Sequence, residues 1–295
     1  MIQRKFEIIR QTLPPSPMIL GYGSGVFPQE GYSSNEFPVM DLVVVAENRA
    51  TYIEYLFRSG VVSCSSKLVS DVTDPEIMFF TDVVLQRDVV VKIGVTEVSR
   101  FVSRLRNWDN SFYIPGRMQK PTKLISCDSP LMRSVFKESQ SVNLPSGLAA
   151  AALLAVKDDH SLPLSDIFAS LVNLSYLGDI RMGLAENPMK IKNIANSQMG
   201  LLTDMYGPYF DAVGIRKMGN DTYNITRSPQ HLWNMLPPSF TRGAIQHPDP
   251  RKALRATLTS INRRESFHQA LVGIGTSGVS KSINYLARKV SKRFR

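Results

Sequence analysis

The chain is poor in the residues that build compact chemical centres. Among 295 residues there are two cysteines, Cys64 and Cys127, and four histidines, His160, His231, His247 and His268. The cysteines stand in neither C-x-x-C nor Cys/His spacing, which excludes a disulfide framework and a structural zinc site and suits a reducing compartment. The histidines form no catalytic or metal-ligating spacing and read as ordinary surface or core residues. No run of 18 apolar residues occurs; residues 148–156 are far too few to cross a bilayer. The start carries basic residues and Ile/Phe at roughly helical spacing, but with Glu7 and no cleavage signal it reads as neither a secretory nor a transit peptide. Two common phosphate-binding motifs are also missing. No Gly-Lys-Ser/Thr follows the glycine-rich segment at 21–25, which excludes a Walker A loop, and Val26 stands where a dinucleotide fingerprint needs its third glycine.

Acid is nearly absent from one region. Residues 251–295 hold 11 Lys/Arg and a single acid, Glu265, whereas residues 1–250 hold 24 of each sign, so the whole net charge of +10 lies in the tail. A neutral body with a basic tail points to an anionic surface as partner. With 43% hydrophobic and 20% charged residues, the body is ordinary globular protein, long enough for one large domain or two average ones.

What is present reads as an α/β start followed by helices. Residues 1–12 have Ile2, Phe6 and Ile9 on one helical face, closed by Pro14-Pro15-Ser16-Pro17. Met18-Ile19-Leu20 is a strand running into the turn Gly21-Tyr22-Gly23-Ser24-Gly25. After a loop with Pro28, Gly31 and Pro38, a second strand, Val39-Met40-Asp41-Leu42-Val43-Val44-Val45, carries one acid near its start. Residues 47–59 look helical, 83–95 read as a hairpin with Lys92 on its second strand, and helical spacing resumes at Glu97. Residues 107–121 form a loop rich in aromatic and basic residues. Residues 131–157, 163–177, 188–206 and 252–272 have helical periodicity, with Pro145, Gly178, Pro208 and Pro237-Pro238 as breaks. The expected organisation is a domain over 1–125, a helical domain over 126–250 and a tail over 251–295.

Strand, Gly-Ser turn and a second strand bearing an acid make a sensible nucleotide site. Glycines let backbone N–H groups approach phosphate oxygens, a hydroxyl adds a donor, and a strand carboxylate holds the divalent metal that offsets phosphate charge. Gly23, Ser24 and Asp41 fit those roles. A carboxylate inside a Val/Leu run is costly to bury unpaired, so Asp41 calls for a metal or a lysine. Lys92 invites the same reasoning, although a lysine on an edge strand can simply snorkel. Ser134 and Lys137 match a Ser-x-x-Lys nucleophile spacing but lack any supporting motif. Trp108 and Tyr113, beside Arg104, Arg106 and Arg117, suit base stacking or plain packing.

The Gly-Ser turn with a following strand Asp resembles the nucleotidyltransferase fold. Gly21-Tyr22-Gly23-Ser24-Gly25-Val26-Phe27, Asn107-Trp108-Asp109-Asn110, Gly116-Arg117-Met118-Gln119-Lys120-Pro121 and Leu174-Ser175-Tyr176-Leu177-Gly178-Asp179-Ile180-Arg181-Met182, in this order, resemble the mitochondrial-type CDP-diacylglycerol synthases, the phosphatidate cytidylyltransferases of the translocator assembly and maintenance family. The resemblance runs from about residue 18 to the tail. It implies an α/β (α+β) nucleotidyltransferase-fold domain, a mainly helical, winged-helix-like domain and a C-terminal amphipathic helix. It implies an enzyme that joins CTP and phosphatidic acid into CDP-diacylglycerol and pyrophosphate with Mg2+, feeding phosphatidylglycerol and cardiolipin synthesis. The implied location is the matrix side of the mitochondrial inner membrane, held peripherally, or the cytoplasmic face of a bacterial membrane.

Carried over by position, Gly23 and Ser24 would hold the CTP phosphates, Asp41 would bind Mg2+ and Lys92 would pair with phosphate. Arg117, Gln119 and Lys120, with Asp179 and Arg181, would complete a cleft between the domains. One position departs from the wider fold: where many nucleotidyltransferases place a second acid two residues after the first, this chain has Val43. Asp179 is the first candidate for a second metal carboxylate, ahead of Glu47 and Glu186. A phosphate monoester has a second pKa of about 6, so the nucleophile is largely ionised near neutral pH and needs no general base. That agrees with the scarcity of histidine.

In the tail, Val279, Ile283, Leu286, Val290 and Phe294 fall in one helical stripe, with Lys281, Arg288, Lys289, Lys292 and Arg295 mainly opposite and Arg293 at its flank. This is the pattern of a helix lying in an anionic lipid interface. A helix packed on the body with a solvated basic face has the same pattern. Nucleic acid would account for the charge but not for the stripe, and no nucleic-acid partner is expected. Two other functions fit the same residues: nucleotidyl transfer to RNA or another polar acceptor, and a lipid-binding assembly factor without catalysis.

Overall fold

The computed structural model describes residues 2–27, 39–63, 75–86, 89–156, 161–184, 189–219 and 221–277. The chain is a mixed α/β protein, a mixed sheet followed by helical segments and a long C-terminal helix. It divides into two compact units, each discontinuous in sequence. The first comprises residues up to Val102, Thr122–Phe136 and the chain from Phe267; the second comprises Ser103–Pro121 and Lys137–Ser266. Residues 103–121 therefore group with the later helices, although they precede residue 125.

The first unit is built on five strands: β1 (Met18–Tyr22), β2 (Met40–Ala46), β3 (Met78–Val84), β4 (Val90–Glu97) and β5 (Lys123–Ser126). Their order is β3-β4-β2-β1-β5, with β2 and β4 parallel and the other pairs antiparallel. The Val-rich run of β2 follows from its central place, because a strand covered on both faces has no polar side to present. Leu42 and Val44 join Val91 and Ile93 in a core that also takes Ile9, Ile53 and Leu56 from the helices Ile2–Thr12 and Arg49–Arg58. Val43 and Val45 on the opposite face are buried too. The helix at 49–58 starts where Asn48 caps it, its side chain accepting from the Thr51 amide.

The second unit packs around the helix Pro130–Ala155 from Lys137 onward, whose stretch Leu148–Leu153 is fully buried, with Phe168, Leu171, Tyr206, Leu254 and Leu258. Pro145 lies inside this helix, where a break was expected. A proline here forfeits one backbone hydrogen bond, and the buried alanine-rich turns that follow hold the helix together across it. Two further expectations change. Residues 107–121 contain a short helix, Tyr113–Met118, and residues 188–206 form two helices, Lys190–Ser197 and Met199–Tyr206, separated at Gln198. A three-stranded antiparallel sheet of β6 (Ser161–Pro163), β8 (Thr222–Ile225) and β7 (Ile215–Lys217) escaped the periodicity reading, since three or four residues are too few to display a period.

The C-terminal helix spans Pro250–Ser277. The lipid-interface residues expected in the tail, Ile283, Leu286, Arg288, Lys289, Val290, Lys292 and Phe294, lie outside the described residues, as do Glu186 and His160. No helix among the described residues is long and apolar enough to cross a membrane.

Candidate active site

In the first unit, β1 leads directly into a tight turn. The amides of Val26 and Phe27 both donate to the Gly23 carbonyl, which leaves Ser24 and Gly25 at the apex. Gly23 has φ of +75°, a backbone that L side chains rarely adopt, and a Cβ there would lie 3.0 Å from Asp41 Oδ2. At Gly25 a Cβ would stand 2.6 Å from the Val39 carbonyl oxygen. These two glycines therefore let the turn lie against the start of β2, beside the Asp41 carboxylate.

Asp41 pairs with Tyr22 of β1 on one side and with Lys92 of β4 on the other, so all three share one level of the sheet. Its side chain is 30% exposed, the sole residue of β2 not fully buried. The carboxylate inside an apolar strand thus reaches solvent at the strand's open end, and its desolvation cost is modest. Lys92 Nζ stands 4.0 Å from Asp41 Oδ1 and 4.3 Å from the centre of the Phe79 ring. Because β4 lies between β3 and β2, Lys92 is not on an edge strand, and the edge-strand account of it does not apply.

The donor set around Asp41 suits a magnesium ion shared with a substrate. Mg2+ is held by one or two carboxylates plus phosphate oxygens and water, rather than by an all-protein cage. A part-exposed carboxylate beside a close-fitting glycine turn fits the part of that single anchor. Among the described residues no group of three His, Cys, Asp or Glu side chains gathers to hold a metal. Glu47 follows the far end of β2, about 20 Å from Asp41 at strand rise, too far to share an ion with it.

The remaining sequence-derived residues lie in the second unit. Arg117 falls within the helix Tyr113–Met118, and Gln119 and Lys120 directly follow it. Gln119 Nε2 donates to Asn143 Oδ1 at 3.1 Å, and its carbonyl accepts from Tyr206 Oη at 2.8 Å. Burial, with Tyr209 adding, raises the Tyr206 phenol well above the ordinary tyrosine range, so it stays a neutral donor. Lys120 Nζ donates to Ser175 Oγ at 2.6 Å and stands 5.2 Å from the centre of the Tyr176 ring, while Lys190 Nζ stands 5.3 Å from that same centre. Desolvation, then the charges of Arg117 and Lys190, lowers the Lys120 ammonium well below the ordinary lysine range.

Asp179 is clamped by its own neighbour: Arg181 Nε donates to Oδ1 at 2.9 Å and to Oδ2 at 3.2 Å, and the Arg181 amide donates to Oδ1 at 2.9 Å. The Asp179 side chain is 5% exposed, so this fork carries most of its solvation.

Sequence reasoning missed Lys190, Tyr206 and Asn143. Ser175 and Tyr176 sat inside a segment singled out as a motif, but without a role. Lys190 carried no local signal at all. Trp108 is fully buried, with Nε1 donating to Asn143 Oδ1 at 2.9 Å and its ring edge-on to Phe112 and Phe240, so it packs rather than stacks on a base. Trp108 and Asn110 both have positive φ, and Arg104 pairs with Asp109 at 2.8 Å. Glu265 then accepts from the Ser111 hydroxyl and from the Phe112 amide, fixing the start of the helix that carries Arg117.

Comparison with known proteins matches these segments to one family. The model described as "Phosphatidate cytidylyltransferase, mitochondrial" matches residues 6–234. The phosphatidate cytidylyltransferase of Rattus norvegicus is 27% identical, over 94% of this chain and 90% of its own length. That of Schizosaccharomyces pombe is 28% identical over 97% of this chain and 82% of its own, and that of Homo sapiens 26% over 95% and 69%. The match takes in the glycine turn, Asp41, Lys92, Lys120 and Asp179 alike, and by it the chain belongs to the mitochondrial phosphatidate cytidylyltransferase family.

Proposed function

We propose that this chain is a CTP:phosphatidate cytidylyltransferase, making CDP-diacylglycerol and pyrophosphate. The observation that carries the reading is the Gly23–Gly25 turn seated against Asp41, with Lys92 at 4.0 Å, in a chain of this family. The five-stranded unit is the nucleotidyltransferase domain, and the helical unit with its small antiparallel sheet is the winged-helix-like one.

In the first unit the turn and the Ser24 hydroxyl bind the CTP phosphates, and Lys92 draws charge from them. Asp41, with phosphate oxygens, would hold Mg2+. The ion's contribution when bound is to offset the charge of the triphosphate. In the second unit Arg117, Gln119, Lys120 and Arg181 bind substrate, and Asp179 keeps Arg181 extended. A phosphate oxygen of phosphatidate attacks the α-phosphorus of CTP; the bond from that phosphorus to the oxygen bridging to the β-phosphorus breaks, and pyrophosphate leaves with the electron pair. Positioning and charge neutralisation are what such a transfer asks of a protein. The attacking oxygen is already ionised, so no residue need remove a proton.

The lipid substrate lies in a membrane, and the basic amphipathic segment at 279–295 provides a peripheral hold on anionic lipid, placing the enzyme on the matrix side of the mitochondrial inner membrane. The test is pyrophosphate release from CTP in mixed micelles with Mg2+, with and without phosphatidate, beside Asp41→Asn. Release that depends on phosphatidate and vanishes in the variant is the expected result. Release that needs no phosphatidate, or label from CTP entering RNA instead of lipid, overturns it.

A further inference from the structure

Lys120 is a buried ammonium surrounded by its own sign. The residue is 6% exposed, its hydrogen-bond partner is the neutral Ser175 hydroxyl, and Tyr176 offers it only a ring face. Its charged neighbours are Arg117 from the preceding helix and Lys190 at the start of the helix Lys190–Ser197. Among the described residues no carboxylate forms an ion pair with it. A buried charge held this way is costly unless something pairs with it. Arg117, Ser175, Tyr176 and Lys190 are each only half-buried, so the cluster opens to solvent on that side. Ser175 Oγ accepts from Lys120 while its own proton goes to the Val172 carbonyl, and the Lys120 and Lys190 ammonium groups stand 5.2 and 5.3 Å from the centre of the same Tyr176 ring. A multiply charged tetrahedral anion answers several cations at once where a carboxylate answers one.

We propose that Lys120, held by the Ser175 oxygen, and Lys190 form a receptor for a phosphate group of a substrate, with Lys190 a further substrate-binding residue beside Lys120. The choice of phosphate rests on the cytidylyltransferase reading, whose two substrates, CTP and phosphatidate, both carry it. Loading has a proton signature. Without an anion, burial and the neighbouring cations weaken Lys120's hold on its proton; a phosphate dianion strengthens it. Binding therefore takes up a proton, and affinity falls as pH rises from Lys120's lowered range toward about 10.4, the ordinary lysine value.

The test uses the full chain, melted and titrated calorimetrically with inorganic phosphate, CTP and dihexanoyl-phosphatidate in turn. Lys120→Met removes the buried charge, so it raises the ligand-free melting temperature while cutting affinity tenfold or more for whichever ligand occupies the site. Lys190→Met weakens the same ligand several-fold and moves the ligand-free melting temperature little. Titrations in two buffers of different ionisation heat, above neutral pH, give proton uptake in the wild type and none in Lys120→Arg, whose guanidinium is always charged. Weakened binding of dihexanoyl-phosphatidate alone puts the lipid headgroup here; weakened CTP alone puts the triphosphate here. Wild-type affinity for all three ligands in Lys190→Met, together with a lowered melting temperature or unchanged affinity in Lys120→Met, overturns the receptor. Loss of pyrophosphate release in the wild type, with the Lys120-dependent binding intact, instead sinks the cytidylyltransferase reading alone.

Discussion

The two units place their charged side chains in opposite electrostatic settings. In the first, a part-exposed carboxylate, Asp41, faces Lys92 at 4.0 Å beside a close-fitting glycine turn that offers backbone rather than charge. In the second, Lys120 is buried with Arg117 and Lys190 as its charged neighbours. The first arrangement already contains an anion, so under the proposed function it would bind a triphosphate well only when a cation comes with it. The second gathers three cations, and under the proposed receptor it would suit phosphate directly. Dependence on divalent metal should therefore belong to one unit and dependence on pH to the other.

Asp41→Asn breaks that comparison most severely. It keeps the shape of the side chain and removes its charge, so turnover should fall on the order of 10³-fold or more, the scale of losing a preorganised electrostatic group. The fold should survive, because the side chain is 30% exposed. Binding of inorganic phosphate at Lys120 should not change. Steady-state pyrophosphate release, circular dichroism and phosphate titration check the three parts together.

Asn143→Leu attacks the second unit's scaffold instead. Asn143 accepts from Trp108 Nε1 and Gln119 Nε2 and donates to the Pro115 carbonyl. Leucine fills the space but leaves those buried groups unpaired, at about 1–3 kcal/mol for each. Denaturant melts should show a loss of about 3 kcal/mol or more, and phosphate affinity should drop with it because the segment carrying Arg117 and Lys120 loosens. Full stability in this variant would separate the network from the site it supports.

Smaller effects fall on the first unit's turn. Gly23→Ala must hold φ of +75° and bring a methyl to 3.0 Å from Asp41 Oδ2. A loss of about 1–2 kcal/mol is expected from the backbone alone, with weaker CTP binding. Lys92→Ala should raise the CTP requirement about tenfold, worth about 1.4 kcal/mol, while leaving stability within about 1 kcal/mol, since a part-exposed ion pair contributes little. Wild-type kinetics would return Lys92 to packing on Phe79.

The first unit was the more legible in sequence, for a physical reason. Its strands are long enough to show runs of Val and Leu, its turn needs glycine where φ is positive, and Asp41 stands out against an apolar background. Asp41 and Lys92 lie 51 positions apart but are register neighbours of parallel strands, a relation no local pattern records. The second unit hid more. Lys190 and Lys120 come to the same Tyr176 ring only after helices from separate parts of the sequence pack. Asp179 is a candidate metal carboxylate in sequence, and sequence does not report that Arg181, two residues on, pairs with it. Pro145 misled in the same way, since the breaker is local and the burial that overrides it is not.

The change with least effect on the chemistry itself is removal of residues 278–295, which belong to neither phosphate site. That segment holds Lys281, Arg288, Lys289, Lys292, Arg293 and Arg295 without any acid. Each such charge near an anionic surface contributes about 1 kcal/mol, and an inserted apolar stripe adds to it. Flotation with phosphatidylglycerol vesicles should therefore show binding reduced tenfold or more, and turnover on vesicle phosphatidate should fall in step. With phosphatidate dispersed in detergent the surface no longer has to be found, and turnover should stay within about twofold, a change of about 0.4 kcal/mol. Equal losses in vesicles and detergent would mean that the segment supports the fold, and its basic face would then be a solvated one. Salt separates the two cases further: the vesicle deficit should shrink as ionic strength rises and screening removes the advantage from the wild type, whereas a structural deficit should persist.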